Sequence, residues 1–428
     1  MIRGAEDMPL AEAGLSPRIT LRARYVFPII GEPIADGAVT VENGRIVRVG
    51  RAPAPSAAVE DLGNVAVLPG LINAHVHLNF SDLTVPLGYQ GISTVAWIRH
   101  VIQWLETAAT DAGAHADTIA HGIQESLRGG VTTLAEIAQP HWPIDGADRF
   151  PANIVLFQEV IAPTEQRTAQ AVRLANAFLQ AVPKQFTEKR LRVGLSPHAP
   201  YSVHPSLLTE VVRIANERRS LVAMHLAESR EELEFLSAGS GPFRDLLENI
   251  GAWDPTLVPR GARPLDYLRQ LARVPKALVI HGNYLNDEEI SFLAANNGRM
   301  SAIYCPRTHA WFDHDPYPLQ KMLAAGVQVA LGTDGRGSAP NLSLLEDIRC
   351  AAVRHADVPP AQLLQLATLG GARALGLDHD IGSLEPGKWA DLTVIPLPNH
   401  AAVDPHELLL ELGTLASASY VRGHRVFP

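Results

Sequence analysis

Eight short apolar runs recur along the middle of this chain, and few architectures can accommodate them. They read LINAHVH, VTTLAEI, IVLFQEV, LRVGLSPH, LVAMHLAE, ALVIHGN, MSAIYCP and VQVALGTD, with amphipathic stretches between them. Near-continuous apolar runs of this length are expected for parallel strands covered on both faces. The intervening stretches carry helical periodicity. In HPSLLTEVVRIANERR, Leu207, Leu208, Val211, Val212 and Ala215 form one apolar stripe, with Pro205 near the start. Asn286 and Glu289 are spaced as a capping box ahead of ISFLAANN. The alternation predicts repeated βα units, and eight of them fit a closed (β/α)8 TIM barrel better than an open sheet, which would show the same local patterns.

The flanks have a different texture. RITLRARYVFP, GAVTVENGRIVRVG and NVAVLPG alternate apolar and polar residues between turn signals, and Glu42-Asn43-Gly44 reads as a hairpin turn. DLTVIPL and SASYVRGHRVFP repeat that texture at the other end. We expect residues 18–68 and 381–428 to form one small β-sandwich domain built from both termini, around an α/β barrel over residues 69–380. The alternative is two unrelated appendages.

Composition narrows the function classes. A length of 428 residues, 46% hydrophobic and 19% charged, describes an ordinary globular protein with room for a large core. A formal net charge of -9, with no basic stripe, argues against a nucleic-acid partner. Cys305 and Cys350 cannot build a disulfide framework, so a reducing cytoplasm is the expected compartment. The opening MIRGAEDMPLAEAG lacks the apolar core of a secretory signal, and no apolar run approaches the roughly 18 residues a membrane span needs. A small-molecule substrate is the expected partner, and a homodimer is compatible with the sequence.

Polar residues collect at the ends of the proposed strands. His75 and His77 end the first, His198 the fourth, His225 and Glu228 the fifth, His281 the sixth and Asp334 the eighth. In a barrel these ends share one face, where catalytic groups of this fold lie. On a strand, residues i and i+2 point the same way, so His75 and His77 can reach one ion. An isolated HxH arises often by chance; this one follows a turn, LPG, that leads into an apolar strand. Glu228 lies one short bend beyond His225, within reach of an attacking water, although a plain helix-start glutamate would look the same. Asp334, in ALGTDG, also suits an ordinary turn aspartate. Together, three imidazoles and one carboxylate suit a single divalent ion such as Zn²⁺ or Fe²⁺, which would make water acidic enough to react near pH 7. No lysine ends the fourth strand to bridge a second metal, because His198 stands there.

These motifs resemble the amidohydrolase superfamily, in its cytosine deaminase-like and triazine hydrolase-like branch. The likeness runs from PGLINAHVH through SPHAPYSVHP, HLAES, VIHGN and YCPRTHAWF to ALGTDGRGS and GSLEPGKWADLTV. It implies His75, His77, His225 and Asp334 as metal ligands, and Glu228 as the carboxylate that shuttles a proton to a ring nitrogen. It further implies that His281 orients the attacking oxygen, that Asp334 accepts a proton from it, and that His198 contacts substrate. The implied reaction is hydrolytic deamination of an aminated, purine-like or nucleoside-like heterocycle. Dechlorination or amide hydrolysis at the same site is one alternative, and an inactive scaffold is another.

The substrate contacts follow from the same resemblance. Trp97 falls near a tryptophan of adenosine-type deaminases, but Val95 replaces the acidic residue those enzymes place two positions earlier, and the NFSDLTVPLGYQGISTVAWIRHVI segment looks closer to aminofutalosine deaminases. Arg307, His309 and Arg336 follow strands seven and eight, where they could meet an anionic or ribosyl group or serve as surface residues. Glu136 and Glu159 could line the pocket or pair with buried arginines.

Overall fold

In a computed structural model, residues 18–53, 59–107, 112–140, 142–144, 150–181, 191–411, 413 and 415–428 are described. The opening segment read above for a signal lies outside them. Strands run in the order β1 (Ile19–Val26), β2 (Ile34–Glu42), β3 (Arg45–Arg51), β4 (Val59–Asp61), β5 (Val65–Pro69) and β6 (Leu71–Val76). They continue as β7 (Val131–Ala138), β8 (Asn153–Val160), β9 (Leu191–Pro197), β10 (Leu221–Leu226), β11 (Lys276–His281), β12 (Met300–Tyr304) and β13 (Val329–Leu331). The last three are β14 (Leu392–Pro396), β15 (Ala418–Val421) and β16 (His424–Phe427).

Strands β6 to β13 lie side by side in sequence order, each parallel to the next. The ring closes between its first and last members. Val76 bridges Asp334 in parallel, and the His77 amide donates to the Asp334 carbonyl at 2.7 Å. Each of the eight apolar runs named from the sequence therefore carries one barrel strand. β6 and β7 are buried at every residue, as strands covered on both faces must be.

The helical readings follow the same physics. Pro205–Arg218 buries Leu207, Leu208, Val211, Val212, Ile214 and Ala215, with proline in its first turn. Asn286 and Glu289 form a reciprocal capping box at the start of Asp287–Ala295.

The termini form a second, mixed sheet in the order β16-β15-β14-β5-β1-β2-β3, with β4 beside β1. Its central pair, β5 and β14, joins the two chain ends antiparallel, so neither terminal segment is an appendage. Asn43 and Gly44 both take positive φ, 52° and 74°, the hairpin turn expected between β2 and β3. The sheet curls back on itself: Ile46 donates to the Lys388 carbonyl at 2.9 Å and Ala390 to that of Gly44 at 2.8 Å. Leu21, Val39, Val41, Ile46, Leu392 and Tyr420 pack in the core so enclosed.

Gly70 joins sheet and barrel. A Cβ there would stand 2.0 Å from the Thr132 hydroxyl oxygen, so only glycine permits the approach. Both cysteines are free, and no helix among the described residues is long and apolar enough to cross a membrane.

Candidate active site

Parallel closure carries the C-terminal ends of the barrel strands to one face, and the polar residues arrive together. His75, His77 and Asp334 offer ligand atoms that all lie within 4.8 Å of one another, and so do His75, His225 and His281. His75 Nε2 stands 3.3 Å and His77 Nε2 3.6 Å from Asp334 Oδ1, while His77 Nε2 and His225 Nε2 face each other at 3.4 Å. Two ligands held about 2.0–2.1 Å from one tetrahedral ion stand about 3.3 Å apart. The separations therefore fit a shared cation.

Protonation fits as well. Burial, followed by the neighbouring imidazoles His225 and His198, holds His75 well below the ordinary histidine range. Burial does the same to His77 and His281 and brings His225 to about 4. At neutral pH these rings are uncharged, with lone pairs free for a cation. Both ring nitrogens of His75 are buried and have no hydrogen-bond partner in the structure. A bound ion would satisfy one of them. Burial pulls the Asp334 carboxyl upward, but His281, His77, His225 and the Ser338 hydroxyl together hold it below the usual value.

Backbone geometry marks the same place. Ala227, His281 and Asp334 adopt left-handed φ of 53°, 64° and 60°. Such conformations cost non-glycine residues on the order of 1–3 kcal/mol and persist where surroundings fix them. The surroundings are visible. Asn73 Oδ1 accepts from the Thr333 and His75 amides at 3.1 and 3.3 Å, and its Nδ2 donates to Thr333 Oγ1 at 2.7 Å. Ser338 Oγ donates to Asp334 Oδ2 at 2.9 Å and lies 2.8 Å from Thr308 Oγ1. The Tyr317 hydroxyl donates to the His281 carbonyl at 3.0 Å. Sequence reading missed these residues because each is an ordinary polar type; their spacing from a candidate ligand, such as Asn73 two before His75, was the available signal.

Glu228 is buried, its Oε1 3.5 Å from His281 Nε2. Burial, then the carboxylates of Asp334, Glu232 and Glu231, pushes its carboxyl well above the usual range. His198 lies beside His225, ring centroids 5.0 Å apart, with its Nδ1 2.7 Å from Ser202 Oγ, and burial brings it to about 4. Trp97 donates from Nε1 to the Gly337 carbonyl at 2.8 Å and packs on Phe80 at 6.4 Å, which in turn sits 6.0 Å from the His77 ring. That chain of rings forms an aromatic wall beside the histidines. His309 is buried against Tyr304 and Tyr317, each 5.8 Å away.

Both arginines make bonds within the protein. Arg307 donates to Asp347 at 2.9 Å, to the Asn341 side chain at 2.7 Å and to the carbonyls of Asn341 and Ser343 at 2.8 and 3.1 Å. Those bonds tie the helix Pro306–Trp311 to the start of the helix Leu344–Arg354 and the residues just before it. Arg336 is held by both oxygens of Glu125, at 3.0 and 3.2 Å, and by the carbonyls of Leu83 and Pro340. Glu136 accepts from the Leu78 amide at 2.9 Å and Glu159 from Gln139 Nε2 at 2.7 Å. Among the described residues, neither carboxylate pairs with an arginine.

Residues 66–417 match the sequence profile of the Amidohydrolase family. The chain belongs to that family. It is 30% identical over 425 residues to a 5-methylthioadenosine/S-adenosylhomocysteine deaminase of Moorella thermoacetica, covering 94% of this chain and 91% of the relative. The crystal structure of Helicobacter pylori aminofutalosine deaminase in complex with methylthio-coformycin superposes with a TM-score of 0.83 at 24% identity, covering 96% of this chain and 100% of that one. An adenosine deaminase from Xanthomonas campestris with bound zinc gives 0.75 at 25% identity, covering 96% and 92%. This amidohydrolase thus shares its barrel and terminal sheet with enzymes named as deaminases, in a family that depends on metal ions.

Proposed function

We propose that this amidohydrolase is a hydrolytic deaminase of an aminated purine-like heterocycle, a nucleoside of the adenosine or aminofutalosine type. The observation that carries this reading is the convergence of neutral His75, His77 and His225 with the Asp334 carboxylate at cation-ligand spacing, in a chain whose relatives are named for that chemistry.

In this reading those four residues hold one zinc ion, which supplies Lewis acidity and makes water acidic enough to ionise near pH 7. Water adds to the ring carbon that bears the amino group. Asp334 takes a proton from the attacking oxygen, and its carboxylate is held for that role by Ser338. Glu228, whose carboxyl is pushed well above the usual range by burial and its acidic neighbours, takes a proton from the attacking water and delivers it to the ring nitrogen. His281 hydrogen-bonds the attacking oxygen. The proton held by Asp334 passes to the amino nitrogen, the C–N bond breaks, the carbon keeps the water oxygen as a carbonyl, and ammonia leaves. His198, Trp97, His309 and Arg307 are the proposed substrate contacts, the Arg307 guanidinium being held in place by its bonds to Asp347, Asn341 and Ser343. The two free thiols accord with a reducing, cytoplasmic setting.

The test is an assay of the purified protein on 6-aminopurine nucleosides and on chlorotriazines, reading ammonia and chloride separately. Ammonia release with the ultraviolet change of a 6-amino to 6-oxo purine is expected. Chloride release without ammonia would overturn the reading.

A further inference from the structure

We infer that Glu232 is a positioning residue for Glu228, fixing the turn that aims the proposed proton shuttle into the site; the inference rests on the deaminase reading for the role of Glu228. Glu232 follows Ser229, which caps the helix Arg230–Ala238 by accepting from the Glu232 amide at 3.2 Å. A glutamate three residues into a helix ordinarily reaches back to the amide of the capping residue itself. This one reaches further. Its Oε1 accepts from the Ala227 amide at 2.8 Å and its Oε2 from the Glu228 amide at 2.9 Å. The side chain is fully buried, so its two hydrogen bonds act where water cannot replace them.

The two amides belong to the segment that most needs holding. Ala227 sits in left-handed backbone at φ 53°, a conformation that alanine adopts only where its surroundings impose it. The segment is clamped from the opposite side by the loop after β11. Asn283 Nδ2 donates to the Glu228 carbonyl at 2.9 Å, and the Tyr284 amide donates to that of Ala227 at 3.0 Å. With its amide on Glu232 and its carbonyl on Asn283, the Glu228 backbone has little freedom, and its carboxyl stays beside His281.

Glu289 is a natural comparator. It too is a buried glutamate that accepts from two backbone amides, those of Asn286 at 2.8 Å and Leu265 at 3.3 Å, but it serves only a helix cap and its neighbour.

The experiment compares Glu232→Ala, Glu232→Gln and Glu289→Gln with the wild type for kcat, KM, bound metal and hydrogen exchange at residues 227 and 228. A misplacement of about 1 Å costs about 10²-fold, so Glu232→Ala should lose about that in kcat with KM within about twofold and metal content unchanged. Glu232→Gln should fall between, because its one amide oxygen still accepts from one of the two N–H groups. Both amides, of Ala227 and Glu228, should exchange at least about tenfold faster in Glu232→Ala, and at least one of them in Glu232→Gln. Glu289→Gln should lower thermal stability and leave kcat alone. The inference is overturned if the two amides keep their protection, or if Glu232→Ala merely loses stability as Glu289→Gln does. Should Glu232→Ala fail to fold, Glu232→Gln carries the same comparison. Should the wild type release no ammonia, the deaminase reading fails, and exchange at the two amides alone decides whether Glu232 anchors the turn.

Discussion

Asn73 offers a measurement of how tightly fold and site are joined. Its side chain is fully buried at the seam where β6 meets the segment after β13, and it bonds the His75 amide, the Thr333 amide and the Thr333 hydroxyl. Replacing it with alanine removes all three bonds. The Thr333 amide keeps a second acceptor, the His75 carbonyl at 3.1 Å, so the main loss falls on the other two groups. At about 1–1.5 kcal/mol for each buried bond, Asn73→Ala should cost about 2–3 kcal/mol. In a chain of 428 residues that lowers the thermal midpoint by roughly 2–3 °C. The same bonds set the backbone of His75 and of the residue before Asp334, so metal affinity should fall about 10–100-fold, as for other groups that support ligands from behind.

Because a bound ion stabilises the folded state by mass action, the comparison must be made on metal-free and metal-loaded protein separately. The metal-free pair reports the seam, and the extra gap on loading reports the ion. A metal-free midpoint within about 1 °C of wild type, together with unchanged resistance to a chelator, would refute the argument that this asparagine staples the ring.

Other expectations follow from single residues. Glu228→Gln should keep its metal and lose about 10²–10⁴-fold in turnover, whereas His77→Ala should lose the metal itself; elemental analysis beside kinetics separates the two, and equal metal loss would contradict the division of roles. His198, at about 4 in the folded protein and about 6.5 unfolded, resists protonation on folding, so the stability it contributes at neutral pH is lost as pH falls from about 6.5 through 4. Between pH 7 and pH 5 that amounts to about 2 kcal/mol in metal-free protein, and His198→Asn should flatten the stability profile over this range in urea titrations. His225, also at about 4, should not compete with a metal through its own proton above about pH 5. Chelator competition should therefore be nearly flat from pH 8 to pH 6; a steep fall beginning at pH 6.5 would show that the ring is not desolvated.

The legible part of this protein was the part encoded in local periodicity. Eight apolar runs announced eight strands because both faces of a barrel strand are buried, and the polar residues ending five of those runs announced the site because parallel strands share their ends. The hairpin at Asn43-Gly44 and the capping box at Asn286 and Glu289 were readable for a similar reason: each is decided within four residues. Pairing across the chain was harder. That β5 pairs with β14 depends on contacts more than 300 residues apart, which no local pattern encodes. Arg307 shows the limit at the site: its position after a barrel strand suited either a ligand contact or a surface residue, and its bonds to Asp347 and Asn341, on a later segment, could not be read from that position. Glu232 and Ser338 were invisible for the opposite reason. Their residue types are common on any surface, and their importance lies in which atoms they touch.

The central claim is that His75, His77, His225 and Asp334 gather around one cation. An anomalous-difference map from crystals of the native protein, recorded on both sides of the zinc absorption edge, addresses it directly. The expected result is a single peak enclosed by those four side chains, with Glu228 and His281 beside it. A map with no peak there, or with the ion held by other residues, would contradict it.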